Sequence, residues 1–169
     1  MSDRDPFLVA FVLAPALVVA EIVLHEVVHA IIDYAASGTL ASCGLGPWTY
    51  HAGRLATCYS SPGVGAWNNL LTPLLMATAG ILTMRYSVAV SRTGVRWALL
   101  TVGAAVTLYE SLYAAAIWGM PLVRPSGVVY QGDGIDAVEA FGPGAMVPGV
   151  VLFAVGFWVL VGRVSEAER

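Results

Sequence analysis

Four long apolar runs dominate the chain, and short stretches rich in polar and turn-forming residues separate them. The runs cover residues 7–36, 64–86, 97–118 and 144–161. Each has about 18 residues or more, the length that a helix needs to cross the hydrocarbon core of a bilayer. A shorter helical pattern lies at about 134–141, before Gly142 and Pro143. These runs predict an all-α, polytopic membrane protein of about four transmembrane helices, with a short re-entrant or interfacial segment before the last.

The composition supports this class of protein. Of the 169 residues, 58% are hydrophobic and only 11% are charged, none is lysine, and the mean hydropathy is +0.77. Soluble domains carry about 25% charged residues, so a soluble protein is not expected. Residues 1–169 form a single domain, because no repeat or low-complexity tract divides them. Since no stripe of basic residues occurs, the expected partners are a lipid bilayer and a substrate within it, and not a nucleic acid.

The arginines predict the orientation of the chain in a cell membrane. If the N-terminus and C-terminus share one side, that side receives six arginines and the other side two. The six are Arg4, Arg85, Arg92, Arg96, Arg163 and Arg169, and the two are Arg54 and Arg124. Because basic residues concentrate on the cytoplasmic side, both termini are predicted to be cytoplasmic.

The first apolar run contains the motif His25-Glu26-Val27-Val28-His29, which reads H-E-x-x-H. Two histidines four residues apart share one face of a helix and can bind one zinc ion, and the glutamate can act as a general base. With three histidines and six glutamates in this chain, about 0.002 such matches are expected by chance. An ionisable side chain at hydrocarbon depth costs about 2.5–3.5 kcal/mol, which metal binding could offset. The motif predicts one zinc ion per chain, with Glu26 as catalytic base.

The other polar residues of this helix lie on the same arc as the motif. At about 100° per residue, with His25 at zero, His29 falls at about 40°, Glu26 at about 100°, Glu21 at about −40° and Asp33 at about 80°. The carboxylates of Glu21 and Asp33 pair either with neighbouring helices or solvent, or with the second ring nitrogen of a zinc-binding histidine.

The two cysteines, Cys43 and Cys58, both fall in the loop at 37–62, which the predicted orientation places outside the cell. Glycine, serine and proline punctuate this loop, so it is irregular or forms a short hairpin. A disulfide that staples the loop over the site is the favoured interpretation, because the outer face is oxidising. The alternatives are two free thiols, or metal ligands that act together with His51.

A catalytic zinc ion usually has three protein ligands, so the motif requires one more. Glu110 is a candidate because of its depth. It lies about 12 Å from the outer end of the third run, and the two histidines lie about 10–17 Å from the outer end of the first. A glutamate at that depth is a candidate for function, although it could instead bond Tyr109, Tyr113 or an asparagine of the second run.

Asp133 and Asp136 are the other candidates for the third ligand. Asp133 has the position of a helix N-cap and Asp136 that of a first-turn residue, so capping alone would also explain them. The stretch from Pro121 to Gly132 can dip inward as a re-entrant segment, which would bring these carboxylates to the site.

The chain resembles the site-2 protease (M50) family of intramembrane zinc metalloproteases, particularly its compact, minimal members. The matching residues are the H-E-V-V-H motif, Trp67-Asn68-Asn69-Leu70, Met120-Pro121-Leu122 and Asp133-Gly134. The resemblance implies that an aspartate followed by glycine is the third ligand, which favours Asp133, then Asp136, then Glu110. It also implies that Asn68 or Asn69 binds the substrate strand.

The expected function is therefore that of an intramembrane zinc metalloendopeptidase, which hydrolyses peptide bonds in or near the spans of membrane-protein substrates. Two other classes of function fit the same residues. One is a non-proteolytic zinc-binding membrane protein that keeps the fold, and the other is a membrane zinc hydrolase of a non-peptide substrate. The retained Glu26 favours an enzyme, since a binding protein needs no general base.

Overall fold

The longest helix, α1, spans Pro6–Ser37 and carries the H-E-x-x-H motif. The computed structural model describes residues 6–51, 54–117, 120–124 and 127–167. Gly38 ends α1 with a φ of +73°, and its amide bonds the carbonyl of Tyr34 at 2.8 Å. Glycine favours this left-handed position because it has no Cβ to clash with the preceding turn.

The loop after α1 contains a short antiparallel hairpin. Strand β1, Trp48–His51, pairs with strand β2, Arg54–Thr57, and Trp48 lies directly opposite Thr57. Cys43 and Cys58 form a disulfide whose Cα atoms are 6.3 Å apart, so neither is a free thiol. The side chain of His51, considered as a metal ligand, lies outside the described residues.

Helix α2 spans Pro62–Ser87 and helix α3 spans Thr93–Ala114. The side chain of Ser61 caps α2 by accepting a hydrogen bond from the amide of Val64, and Pro62 opens the helix. The two helices cross at Gly80 and Gly103, where a Cβ on either glycine would lie 2.8 Å from the carbonyl oxygen of the other. Close packing of backbones at small residues is typical of helices in membranes.

A second antiparallel hairpin follows α3. It consists of β3, Met120–Arg124, and β4, Gly127–Gln131, and it occupies the stretch predicted to be re-entrant. Helix α4, Asp133–Phe141, comes next, and after a 3₁₀ turn at Pro143–Met146 helix α5 spans Val147–Ala167. The fold is thus mostly helical, as predicted. The first hairpin is one of the two forms expected for the loop at 37–62, whereas the second hairpin was not predicted, since only longer apolar runs were assigned there.

Helix α3 lies at the centre of the fold and packs against α1, α2 and α5. At one end of this bundle Ile81, Met84, Leu100 and Val159 form an apolar cluster. At the other end the interior is polar, and the fully buried side chains include His29, Asn68, Thr72 and Glu110. The candidate site therefore lies inside the bundle, where α1, α2 and α3 meet.

The five helices of the described chain lie close to the positions predicted from the apolar runs. The main differences are at the ends: α3 stops at Ala114, four residues early, and α5 continues to Ala167. Within the described residues, two helical stretches are long and apolar enough to cross a membrane, Phe11–Ser37 and Pro143–Glu166. That four helices, α2 and α3 among them, cross a membrane stays a prediction.

The disulfide gives a direct test of the hairpin. Protein isolated without reductant should yield, after proteolysis, a cross-linked pair of peptides that contain Cys43 and Cys58, since these are the only two cysteines. Mass spectrometry of alkylated, non-reduced protein measures this. If both thiols carry the alkylating group, the staple is absent and the hairpin is not held as described.

Candidate metal centre

Three side chains from two helices converge on one point in the interior. The distances are 3.0 Å from His25 Nε2 to His29 Nε2, 3.0 Å from His25 Nε2 to Asp133 Oδ2, and 2.8 Å from His29 Nε2 to Asp133 Oδ2. The two histidines lie one turn apart on α1, and Asp133 is the first residue of α4. The structure thus brings Asp133 to the motif, and this group could hold a metal ion.

A glutamate from α3 orients the first histidine. Glu110 Oε1 lies 2.9 Å from Nδ1 of His25, on the side of the ring that faces away from Asp133. A carboxylate accepts, so Nδ1 donates to Glu110, and in the neutral imidazole Nε2 then presents its lone pair to the centre. Glu110 therefore reaches the motif, but it contacts the other ring nitrogen of His25. Glu21, also on α1, has a carboxylate oxygen within 4.8 Å of both groups.

An asparagine from α2 orients the second histidine in the same way. Asn68 Nδ2 donates to the backbone carbonyl of His29 at 2.7 Å, and this places Asn68 Oδ1 2.9 Å from His29 Nδ1. Since the carbonyl can only accept, the amide orientation is fixed and Nδ1 of His29 must donate to Oδ1. Thr72, one turn further along α2, donates to the same Oδ1 at 2.9 Å. Both histidines thus present Nε2 to the centre.

The chemistry of these three atoms fits a metal cation. With both Nδ1 protons directed outward, two Nε2 lone pairs and one carboxylate oxygen face one another at 2.8–3.0 Å. Three buried acceptors at such distances repel unless positive charge lies between them. Zinc binds imidazole nitrogen and carboxylate oxygen at about 2.0–2.2 Å, and in a tetrahedral site such ligand atoms are about 3.3 Å apart. A widening of a few tenths of an ångström would accommodate it.

Asp133 is held in its ionised form, which cation binding requires. Its burial opposes ionisation, but protonated histidines outweigh burial through the charge of His29 and the hydrogen bonds that both then donate; a bound cation would supply that positive charge between neutral imidazoles. The pKa of the Asp133 carboxyl is therefore well below its ordinary value.

A glycine allows Asp133 to reach the histidines. A Cβ at Gly134 would collide with the backbone carbonyl of Tyr113 and lie 2.9 Å from the amide of Ala116, so the start of α4 rests directly on the end of α3. The N-cap of α4 is Gly132 and not Asp133, and no side chain caps the helix. The predicted capping role of Asp133 is therefore wrong, because its carboxylate is engaged by the histidines instead.

Glu26, the predicted base, is held by the first hairpin. Thr57 Oγ1 lies 2.7 Å from Glu26 Oε2 and 3.1 Å from the backbone carbonyl of the same residue. Trp48 Nε1 donates to that carbonyl at 3.3 Å. The side chain of Glu26 is only partly buried. It is thus held next to the two histidines of the motif without being fully enclosed.

Tyr59 connects the second histidine to the remaining predicted residues. Its hydroxyl lies 3.2 Å from His29 Nδ1 and donates to Asn69 Oδ1 at 2.6 Å, and Asn69 Nδ2 donates to Asp136 Oδ2 at 3.2 Å. Burial raises the pKa of Tyr59, and the charges of Asp133 and Glu26 raise it further, so its phenol remains a donor. Asp136 thus contacts Asn69 and is not part of the three-atom group.

The predicted substrate contact of Asn68 and Asn69 stays a prediction. In the described structure Asn68 is fully buried and both of its polar atoms bind His29, whereas Asn69 is 7% exposed and lies one layer further out. Of the two, only Asn69 has any surface that a substrate could touch.

Sequence reasoning missed three side chains that contact the site: Thr57, Tyr59 and Thr72. Thr72 follows Asn68 by four residues on an apolar helix, and this polar pair was a usable signal, since such residues share one helix face. Thr57 and Tyr59 flank Cys58 in a loop. The two cysteines predicted that this loop lies over the site, but nothing in the local sequence indicates that Thr57 and Tyr59 contact α1.

Comparisons with models of known protein families, with curated proteins and with solved structures find no match for this chain. The interpretation of the site therefore depends on its own geometry.

The geometry ranks the three candidate ligands by the zinc that each variant retains. Asp133→Ala should lose most of the zinc, because it removes one of three converging atoms. Glu110→Gln should weaken zinc binding about 10–100-fold through the misaligned ring of His25. Asp136→Ala should retain full zinc, since Asp136 accepts a hydrogen bond from Asn69 and is not one of the three converging residues. Metal emission spectroscopy and competition with a chelator measure these values. Full zinc in Asp133→Ala would contradict the assignment.

The close approach at Gly134 predicts a second effect on zinc. Gly134→Ala should push α4 away from α3, separate Asp133 from the histidines and lower zinc occupancy, and overpacking of this kind costs about 1–3 kcal/mol. Gly144→Ala is the matched control, because a Cβ there meets no atom within 4 Å. Equal zinc content in the two variants would show that the contact with Tyr113 does not position Asp133.

Proposed function

We propose that this protein is an intramembrane zinc metalloendopeptidase, similar to compact members of the site-2 protease family. One observation carries the proposal. His25 Nε2, His29 Nε2 and Asp133 Oδ2 converge within 3.0 Å of one another, and a glutamate held by its own donor follows the first histidine. Two histidines and one carboxylate, with a glutamate base beside them, are the groups used by zinc peptidases.

The residues divide the chemistry between them. A zinc ion at His25, His29 and Asp133 would supply a Lewis acid that activates water and polarises the scissile carbonyl. Glu26 takes the proton of the attacking water and passes it to the nitrogen of the departing amine, so a single carboxylate serves as base and then as acid. Glu110 and Asn68 keep both imidazole rings in the tautomer that exposes Nε2.

The distribution of apolar side chains supports a membrane location. Large apolar residues point outward along α1, α2 and α5, among them Phe11 (68% exposed), Leu82 (61%) and Trp158 (75%). Only 6% of the most apolar window in α1 and 22% of that in the last helix are buried inside the protein. Surfaces of this extent require a non-aqueous cover, since soluble monomers rarely expose large contiguous apolar patches. A lipid bilayer provides it.

We further propose that α1, α2, α3 and α5 all cross the membrane. Their lengths are 32, 26, 22 and 21 residues, and at 1.5 Å per residue even the shortest reaches about 30 Å, the thickness of the hydrocarbon core. Helices α2 and α3 are less apolar because their polar residues point into the site, where the other helices shield them from lipid. The arginine distribution favours an orientation with both termini in the cytoplasm.

The substrate class follows from the position of the site. Asp133 is 14% and His29 only 3% exposed on their side chains, so the centre is open to a segment that reaches into the bundle and not to bulk protein. A membrane-spanning or membrane-adjacent peptide has that access. Its helix must unwind locally, because a peptide bond inside a helix is shielded from attack; this unwinding is a hypothesis about the mechanism.

The experiment uses purified protein in liposomes with a panel of fluorogenic transmembrane peptides. Wild-type protein should cleave at least one peptide, and a chelator should stop cleavage. Glu26→Gln should lower the rate at least about 100-fold while zinc per chain stays near one, because the glutamate is a base and not a ligand. His25→Ala and His29→Ala should lose both zinc and cleavage.

The outcomes separate the three functions that the residues allow. Zinc binding with no cleavage of any peptide would favour a zinc-binding membrane protein. Hydrolysis of an amide or ester lipid in the same liposomes, with the peptides intact, would favour a non-peptide hydrolase. Cleavage that persists in Glu26→Gln would contradict the assigned base.

A further inference from the structure

The segment that follows β2 contacts α1 along nearly two turns. Thr57 donates to Glu26, the Tyr59 hydroxyl lies beside His29, and Ser60 donates to Asp33 through both its amide (2.9 Å) and its hydroxyl (2.8 Å). The three α1 residues share one helix face. Polar contacts, and not apolar packing alone, therefore fix the position of the segment 57–60 along α1 next to the motif.

Thr57 makes the contact that bears most directly on the base. A threonine hydroxyl has one hydrogen, and its two neighbours on Glu26 are the carboxylate at 2.7 Å and the backbone carbonyl at 3.1 Å. The shorter contact is also charge-assisted and therefore stronger. Trp48 donates to the carbonyl, which leaves the hydroxyl hydrogen for the carboxylate.

The hairpin holds Thr57 from two directions. Trp48 and Thr57 lie directly opposite each other in the β1–β2 pairing, so both strands contact the same residue of α1. Cys58, the next residue, is bonded to Cys43, and its amide bonds the carbonyl of Pro47 at 2.9 Å. The backbone at Thr57 is thus anchored on both sides, and this keeps its side chain next to Glu26.

We propose that Thr57 is a positioning residue for Glu26 and sets the rate of the peptide-bond cleavage proposed above. Its hydroxyl occupies Oε2 and fixes the plane of the carboxylate, so Oε1 is the oxygen that accepts the proton of the attacking water. Without the hydroxyl, the carboxylate of Glu26 rotates among several orientations and spends less time in the productive one. Misplacement of a catalytic group by about 1 Å can cost on the order of 100-fold in rate.

The test compares Thr57→Val, which removes the hydroxyl at nearly constant shape, with Thr57→Ser, which retains it. The substrate is a peptide that the wild-type protein cleaves in liposomes. Thr57→Val should lower kcat about 10–100-fold with KM within about twofold and zinc near one per chain, and Thr57→Ser should recover kcat to within about threefold. Thr57→Ala is measured in parallel in case the valine variant does not fold.

Ser60→Ala is the matched control on the same segment, because it removes a hydroxyl that contacts α1 at Asp33 and not at Glu26. It should retain the wild-type kcat. An equal loss in Ser60→Ala, or loss of zinc in Thr57→Val, would overturn the inference, since either would mean that the segment only supports the fold. Full kcat in Thr57→Val alongside an inactive Glu26→Gln would also overturn it. Activity in Glu26→Gln would instead reject the proposed function itself.

Discussion

The centre at His25, His29 and Asp133 brings two imidazole nitrogens and a carboxylate oxygen to within 3.0 Å of one another at the polar end of the bundle. Such an arrangement is unfavourable unless positive charge lies at its middle, and the surrounding residues are placed as if to maintain it. Glu110 and Asn68 accept the outward protons of the two imidazoles, Thr72 and Tyr59 support Asn68 and His29, and Gly134 lets Asp133 approach. Most buried polar groups at this end of the bundle contact one of these three residues, or contact a residue that does.

The same contacts explain why polar side chains lie inside this end of the bundle and apolar side chains lie on its surface. The polar residues of α2 and α3 face inward because they orient the two histidines, and the apolar residues of α1, α2 and α5 face outward. In water this distribution would expose a large apolar surface, whereas in a bilayer it is stable. The apolar cluster at the other end of the bundle holds α2, α3 and α5 together, and the glycine contact of α2 with α3 adds close packing of their backbones.

The sequence predicted the local part of this architecture well. Apolar runs locate the helices, because the apolar character of each residue reflects its own burial or lipid exposure. The H-E-x-x-H spacing identifies the two histidines, because helix geometry fixes them on one face. The depth argument correctly brought Glu110 near the motif. It could not determine which nitrogen of His25 Glu110 contacts, since this depends on how α3 is rotated against α1. The family resemblance, and not the spacing alone, singled out Asp133.

Contacts made by loops were not predictable in the same way. The hairpin residues Trp48 and Thr57 reach Glu26 only because the chain turns back after α1, and the pairing of two four-residue strands leaves a weak sequence signal. Cys43 and Cys58 were the one cue that this loop is closed. The contact of Gly134 with Tyr113 was equally unpredictable, because it joins two helix ends that are separated by a hairpin.

X-ray absorption at the zinc edge of the purified protein tests the central claim most directly, because it reports the ligand atoms themselves. The account predicts one zinc ion with two imidazole nitrogens at about 2.0–2.1 Å and oxygen ligands at about 2.0–2.2 Å, with no sulfur. Absence of zinc from protein purified without chelator would contradict it. So would a sulfur ligand at about 2.3 Å, which would place Cys43 or Cys58 on the metal in place of the disulfide.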